Sequence, residues 1–296
     1  MLILATDSQR LTTNQLSLWL NYIEHQVGFV LPSSQVNWVK GIIERHLQAN
    51  QMTSTELLEA VAKNTTLYHQ LFDDILIPRT QFFRHIPSFD YIAHYADTWQ
   101  HQHYLTKTND TAFSDTTFTA WSVGCATGQE AVSIALTLRQ RLAPNQEFLV
   151  YGSDFHQQAL QRARQGEYGI QELKFIPETF HSLLMINTEQ FSANAHIQPR
   201  IRYFSQNLID TSQSIIIAKK QCQIIVCKNV LIYFRQFEQR DIVHAMLDYL
   251  DDNGMLIFGA GELLQLNNLP LQRLPINMVN AYCKIAAADW VKQLSF

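Results

Sequence analysis

A chain of 296 residues, 47% hydrophobic and 16% charged, is long enough to build two domains, or one large one, around a real core. Its net charge of −4 gives no global basic field for nucleic acid, and no apolar run approaches the length needed to cross a membrane. The start MLILATDSQR lacks the charged-then-apolar order of a signal peptide, and Cys125, Cys222, Cys227 and Cys283 show no zinc-like pairing, so reduced, packed thiols in a cytoplasmic protein are expected.

In chain order, residues 11–75 read as helices throughout. LTTNQLSLWLNYIEHQVG opens on a Thr cap and carries Leu16, Trp19, Leu20 and Ile23 at helical spacing. VNWVKGIIERHLQA and STELLEAVAKN continue in kind, the second with a Ser/Thr cap ahead of Glu56. Lys40, Arg45 and Lys63 are the cations across these central helices. His101 and His103 fall in a stretch read as a polar loop, where solvated side chains are expected before metal ligands. TKTNDTAFSDTT, from Thr106 to Thr117, is poor in apolar residues and reads as a linker or surface loop.

From Phe118 the period changes. FTAWSV, a helix from about Glu130 to Leu142, FLVYGS, a helix through HQQALQRARQ, QIIVCKN, a helix through FEQRDIVHAMLDYL, GMLIFGAG and AYCKIA alternate strand and helix. That alternation predicts a doubly wound α/β domain with a parallel sheet. The rhythm breaks between Gly166 and Asn207, where HSLLMINTEQF and HIQPRIRYFSQN predict a small antiparallel insertion.

Two of the chain's ten glycines, Gly124 and Gly128, bracket the turn after the first strand. In such a sheet ligands bind outside the carboxyl ends of the strands, and glycine admits positive φ and close backbone approach. A tight turn with no ligand has the same spacing, and the GxGxxG dinucleotide fingerprint is absent. Asp154 falls at the tip of the second strand, where an acid accepts hydrogen bonds from a ribose diol or caps the helix that follows. Loop and acid together point to an adenosine-type ligand.

Four segments in order name a family. RTQFFR (Arg79–Arg84), GCATGQEAVSIA (Gly124–Ala135), SDFHQQALQRARQGEY (Ser153–Tyr168) and CKNVLIYF (Cys227–Phe234) resemble the CheR family of chemotaxis methyltransferases, which use S-adenosyl-L-methionine to esterify receptor glutamates. The resemblance covers roughly residues 10 to 285. It implies a Rossmann-like methyltransferase domain over 118–296 with the antiparallel insertion at 167–206. An all-α domain over 1–90 and a linker over 91–117 would precede it. It further implies a methyl-accepting chemoreceptor as substrate, no nucleic-acid partner, no membrane insertion and no metal, in chemotaxis proper or in a type IV pilus chemosensory array.

Site residues follow from the resemblance position by position. Thr80 and Arg84 match the Thr and Arg of the N-x-T-x-F-F-R signature, whose side chains reach the cofactor. Gly124 and Glu130 match the glycine loop, with Gln129 in place of a more variable acid. Asp154 matches the ribose-binding acid, and Asn207 and Leu208 the pair against the adenine. Lys228 and Asn229 stand where Arg-Asn is usual, and Tyr233 matches the Tyr beside the transferring methyl group; Arg84 and Tyr233 are the expected catalytic pair. Pro78 replaces the signature's Asn and Lys228 its Arg, which keeps the charge and loses the planar fork. Phe82 and Phe83 also suit a purely structural reading as aromatics joining the two domains. A catalytically weak S-adenosylmethionine-binding scaffold and a methyltransferase for a small carboxylic acid are the alternatives.

Overall fold

The computed structural model describes residues 10–76, 80–106, 117–210, 212, 213, 215–260, 262, 266 and 268–294. The chain opens with four helices, α1 (Thr13–Val27), α2 (Ser33–Asn50), α3 (Ser54–Lys63) and α4 (Thr65–Ile75). Thr12 starts α1 with a capping box shared with Gln15, and Thr53 starts α3 with one shared with Glu56, so two orphan amides at each end are satisfied locally. Trp19, Ile23 and Val27 then fall on one face and bury against Val39, Ile42, Ile43, Leu47 and Leu71 in a core separate from those of the sheet. Trp19 is fully buried and its indole N–H donates to Ser54 Oγ at 3.0 Å.

Helix α5 (Ile86–Thr106) corrects the expected domain division. Residues 91–106, assigned to a linker, are helical, and Tyr91, Ile92, Tyr95 and Trp99 are buried in the same core as Phe118 and Phe148. The Trp99 ring meets Phe118 edge-on at 5.0 Å, and Tyr95 donates its hydroxyl to the Asn253 carbonyl at 2.8 Å. The stretch carries eight aromatic or histidine rings in 21 residues without a clean apolar stripe, which hid its helical period. His101 and His103 lie in its last turns, where His103 Nδ1 sits 3.0 Å from the Trp99 carbonyl. Of the linker proper, residues 107–116 lie outside the described residues.

The α/β part runs β1 (Phe118–Val123), α6 (Gln129–Arg141), β2 (Phe148–Asp154), α7 (Gln157–Gln165), β3 (Glu167–Gly169), β4 (Leu184–Ile186), β5 (Gln190–Ala193) and β6 (Ile201–Ser205). It continues through β7 (Cys222–Cys227), α8 (Gln236–Leu247), β8 (Leu250–Phe258), β9 (Leu271–Arg273), β10 (Asn280–Lys284) and α9 (Asp289–Lys292). The seven-stranded sheet has the order β6-β2-β1-β7-β8-β10-β9; the first five strands are parallel and β10 is antiparallel to both neighbours. β1 is buried along its whole length. Its alternate residues feed opposite faces, with Ala120 in the core beneath α5 and α6 and Trp121 and Val123 in the core on the other side.

A second correction concerns β6. The small antiparallel sheet has the order β3-β5-β4 and ends at Ala193. Residues 201–205, placed in the insertion from their alternation, instead add an edge strand to the main sheet, parallel to β2, with Val150 opposite Ile201 and Asp154 opposite Ser205. An edge strand covered on one face shows the same alternation as a hairpin arm, so the pattern did not distinguish them.

Register decides where a ligand can sit. Val123 lies opposite Ser153 and Cys227, and Asp154 opposite Ser205. The chain therefore leaves β1, β2, β6 and β7 at one edge, and the strand order reverses between β1 and β7. That reversal opens a crevice above the carboxyl ends.

Candidate cofactor pocket and active site

The loop after β1 is built from positive-φ residues: Gly124 (69°), Ala126 (49°) and Gly128 (94°). Gly124 also packs where a Cβ would overlap Val230 Cγ2, and at Gly128 a Cβ would stand 2.7 Å from the Tyr203 hydroxyl and 2.9 Å from that of Tyr168. These glycines are thus required by the loop's own packing. Cys125 lies buried inside the loop, where burial pushes its thiol up and leaves it protonated and inert.

Asp154 ties this loop to the next. Its Oδ2 accepts the Ala126 N–H at 2.8 Å and its Oδ1 the His156 N–H at 2.8 Å, while its carbonyl accepts the Gln206 N–H at 3.0 Å. Burial raises the carboxyl's pKa, and the surrounding backbone amides of His156, Ala126 and Phe155 oppose that shift.

A cavity of about 390 Å³ opens at this point, within the size range of small-molecule sites. Gly124, Ala126, Asp154 and Phe155 line it from the first two strand ends, and Gln206, Asn207 and Leu208 from the third. Lys228, Asn229, Ile232 and Tyr233 line it from the loop after β7, and Arg84 from the entry to α5. The remaining wall was not foreseen: Val27, Phe29, Leu31 and Gln35 around the α1–α2 connection, with Ile75 and Leu76 at the end of α4. Gly28 (φ 74°) ends α1, the Val30 N–H donates to the Tyr233 carbonyl at 2.8 Å, and the Phe29 ring stacks on Tyr233 at 5.2 Å. The helical domain therefore completes the cavity.

Arg84 reaches it because its neighbours are fixed. Phe82 is fully buried against Tyr168 (4.8 Å between rings) and Phe191 (5.4 Å). Phe83, at φ 48°, stacks on Phe180 at 4.8 Å, and its N–H donates to Ser133 Oγ at 3.1 Å. Two aromatic anchors leave Arg84 exposed on the cavity wall, and its guanidinium has no hydrogen-bond or ion-pair partner among the described residues.

Lys228 and Glu130 behave differently from the other expected site residues. Lys228 Nζ lies 3.0 Å from Glu130 Oε2 with the side chains 5% and 13% exposed; it donates to the Arg84 carbonyl at 3.3 Å and sits 4.7 Å over the Phe89 ring. Glu130 Oε1 accepts from Ser122 Oγ at 2.8 Å. Thr80 is half-buried, and neither Thr80 nor Glu130 belongs to the cavity lining; Pro78 lies outside the described residues. Asn207 lines the cavity, but its amide is committed. Nδ2 donates to the Gln26 carbonyl at 2.8 Å, and Oδ1 accepts the Ile209 N–H at 3.3 Å. Its neighbour Gln206 has a buried Oε1 with no partner among the described residues.

Residues 78–279, more than half of the chain, match the family model described as CheR methyltransferase, SAM binding domain. The chain belongs to the CheR methyltransferase family. It is 28% identical over 253 residues to the chemotaxis protein methyltransferase of Salmonella typhimurium, spanning 81% of this chain and 80% of that one. It is 22% identical over 265 residues to the one of Borreliella burgdorferi, spanning 87% and 90%. With the one of Escherichia coli it shares 31% identity over 153 residues, about half of each chain. This CheR chain is an S-adenosylmethionine-dependent methyltransferase, and the matched region begins just before Arg84 and takes in every strand of the main sheet except β10.

Proposed function

We propose that this CheR enzyme methylates glutamate side chains of methyl-accepting chemoreceptors, giving glutamyl methyl esters for chemosensory adaptation, with the cavity above β1 and β7 as its cofactor and reaction site. The relatives named above are chemotaxis protein methyltransferases. The observation that carries the reading is Arg84, a cation whose guanidinium has no partner among the described residues, held at the cavity wall by two buried phenylalanines.

The cavity's residues fit the cofactor. Asp154 presents a carboxylate at the cavity whose acceptor capacity is not used up by the Ala126 and His156 amides, which suits a ribose diol. Phe155 and Leu208 offer apolar faces to a base, and the orphaned oxygen of Gln206 offers an acceptor at the same end. The backbone from Gly124 to Ala126 and Asn229 would hold the amino-acid tail beside Arg84. Lys228 lines this wall and Glu130 braces it from behind through their ion pair.

Bound S-adenosylmethionine supplies an activated methyl group on a sulfonium. A glutamate side chain, with an ordinary pKa of about 4.3, is already an anion at neutral pH, so the chain needs no general base. What its residues contribute is orientation and exclusion of water. Arg84 aligns the incoming carboxylate, and Tyr233, fixed by the stacked Phe29 ring and by its carbonyl's bond to Val30, sets the lateral position. The helical domain closes the far wall.

This reading puts the enzyme in the cytoplasm beside receptor arrays; no described helix is long and apolar enough to cross a membrane. Mass spectrometry of receptor cytoplasmic domains incubated with enzyme and S-adenosylmethionine tests it. A single-methyl mass increment on glutamate side chains supports the reading, and modification confined to other residue types refutes it.

A further inference from the structure

Asp73 and Asp74 stand side by side near the end of α4, and their environments differ. Asp74 is half-exposed and pairs with His46 at 2.9 Å inside the helical domain. Asp73 is 8% exposed and faces the α/β domain, where its Oδ1 accepts the Gln157 N–H at 2.8 Å and its Oδ2 the Gln158 N–H at 3.1 Å. The ring Nδ1 of buried His156 lies 3.0 Å from the same Oδ1.

Those amides are the first two of α7, a helix of 9 residues capped by His156, whose Nδ1 is also 3.2 Å from the Ala159 N–H. One ring nitrogen cannot donate to Asp73 and accept from Ala159 at once. The two backbone bonds to Asp73 stand in either tautomer, and an anion at a helix N-terminus is favoured by the aligned peptide dipoles.

The turn that enters α7 is the one that carries Asp154. Asp154 grips the His156 amide from one side and the glycine loop, through Ala126, from the other. Asp73 grips the next two amides from the opposite domain. Between them Phe155, a cavity residue, meets Phe72 edge-on at 5.8 Å and Tyr68 at 6.0 Å and packs into the helical-domain core. Asp73 from the helical domain, with Asp154 and the Phe155 ring from the turn, thus couples the helical domain to the cavity wall.

We infer that Asp73 is a positioning residue for the cofactor pocket, holding from the helical domain the turn that presents Asp154 and Phe155. The inference rests on the reading of this cavity as the cofactor site. A carboxylate that only capped α7 would contribute stability and nothing to affinity. A positioning carboxylate contributes to both, because the pocket is preorganised only while the turn is held.

Calorimetric binding of S-adenosylhomocysteine, with Tm on the same samples, separates these roles in full-length wild type, Asp73→Asn, Asp73→Glu, Thr53→Ala and Asp154→Ala. Thr53→Ala removes the capping box of α3 inside the helical domain, far along the chain from the α7 joint. Asp73→Asn is expected to raise Kd about tenfold, the equivalent of one lost charge-assisted hydrogen bond. Asp73→Glu, which keeps the charge one methylene farther out, should raise it by a smaller factor, and it carries the comparison if the Asn variant does not fold. Thr53→Ala should lower Tm and leave Kd unchanged. Unchanged Kd in both Asp73 variants, or Kd following Tm alike in Thr53→Ala and the Asp73 variants, overturns the inference. Unchanged Kd in Asp154→Ala overturns instead the placement of the cofactor on which it rests.

Discussion

Replacing Asp154 with Ala removes a carboxylate that serves two masters in the structure. Each oxygen already accepts one backbone amide, from Ala126 and from His156, both at 2.8 Å. In the proposed cofactor pose each ribose hydroxyl donates to one carboxylate oxygen, so two hydrogen bonds to a charged acceptor are at stake. At about 1.5–3 kcal/mol each, the lower bound is roughly 3 kcal/mol, on the order of a hundredfold rise in Kd for S-adenosylhomocysteine. The cofactor-free protein loses stability as well, because two buried loop amides lose their acceptor, at roughly 1–3 kcal/mol for each left unpaired. Calorimetry at a temperature well below the variant's Tm reads the first effect apart from the second. A variant with lowered Tm and a Kd within about twofold of wild type would refute the reasoning; Asp154 would then be a tie between the glycine loop and α7 and nothing more.

Three further outcomes are expected. Arg84→Ala and Tyr233→Phe should lower kcat by on the order of a hundredfold, the scale of a misplacement of about 1 Å, with a much smaller change in cofactor Kd; parallel losses in steady-state rate and calorimetric affinity would make either residue a binding element. Lys228→Met strands Glu130 as a buried anion and should lower stability by about 3 kcal/mol or more in urea unfolding, with a second change, Glu130→Gln, restoring part of it. Gln206→Leu removes an oxygen that has no partner among the described residues, so Tm should hold or rise while Kd for S-adenosylhomocysteine rises about tenfold; a fall in Tm with unchanged Kd would show that the amide serves the fold alone.

The parts of the site legible in the sequence were those where the backbone itself is constrained. Gly124 and Gly128 are visible because positive φ and close packing admit little else, and Asp154 because it ends a clear apolar strand. Phe82 and Phe83 were readable only as aromatics; that their burial is what delivers Arg84 to the cavity depends on contacts with Tyr168 and Phe180, far along the chain. Lys228 and Glu130 were each placed at the cofactor, but sequence position does not say that a Lys and a Glu 98 positions apart point at one another. Asp73 was missed altogether, since an Asp-Asp pair at a helix end reads as a solvated face. The wall made by Phe29 and Leu31 was missed for a similar reason. A Gly-Phe-Val-Leu-Pro connection signals a turn, and its apolar residues acquire a role only when the two domains meet. The β6 error arose because local periodicity reports which face is covered, not which neighbour covers it, and the α5 error because its rings leave no clean apolar stripe.

The most direct test of the central claim follows label from S-adenosylmethionine carrying a radioactive methyl group into receptor-enriched membranes, followed by mild base. A glutamyl methyl ester releases its label as volatile methanol under these conditions, whereas methylated amines and amides keep theirs. Label on receptor protein that base removes is expected, and none with the Arg84→Ala enzyme beyond a small residue. Base-stable label, or label found only on small molecules, would contradict it.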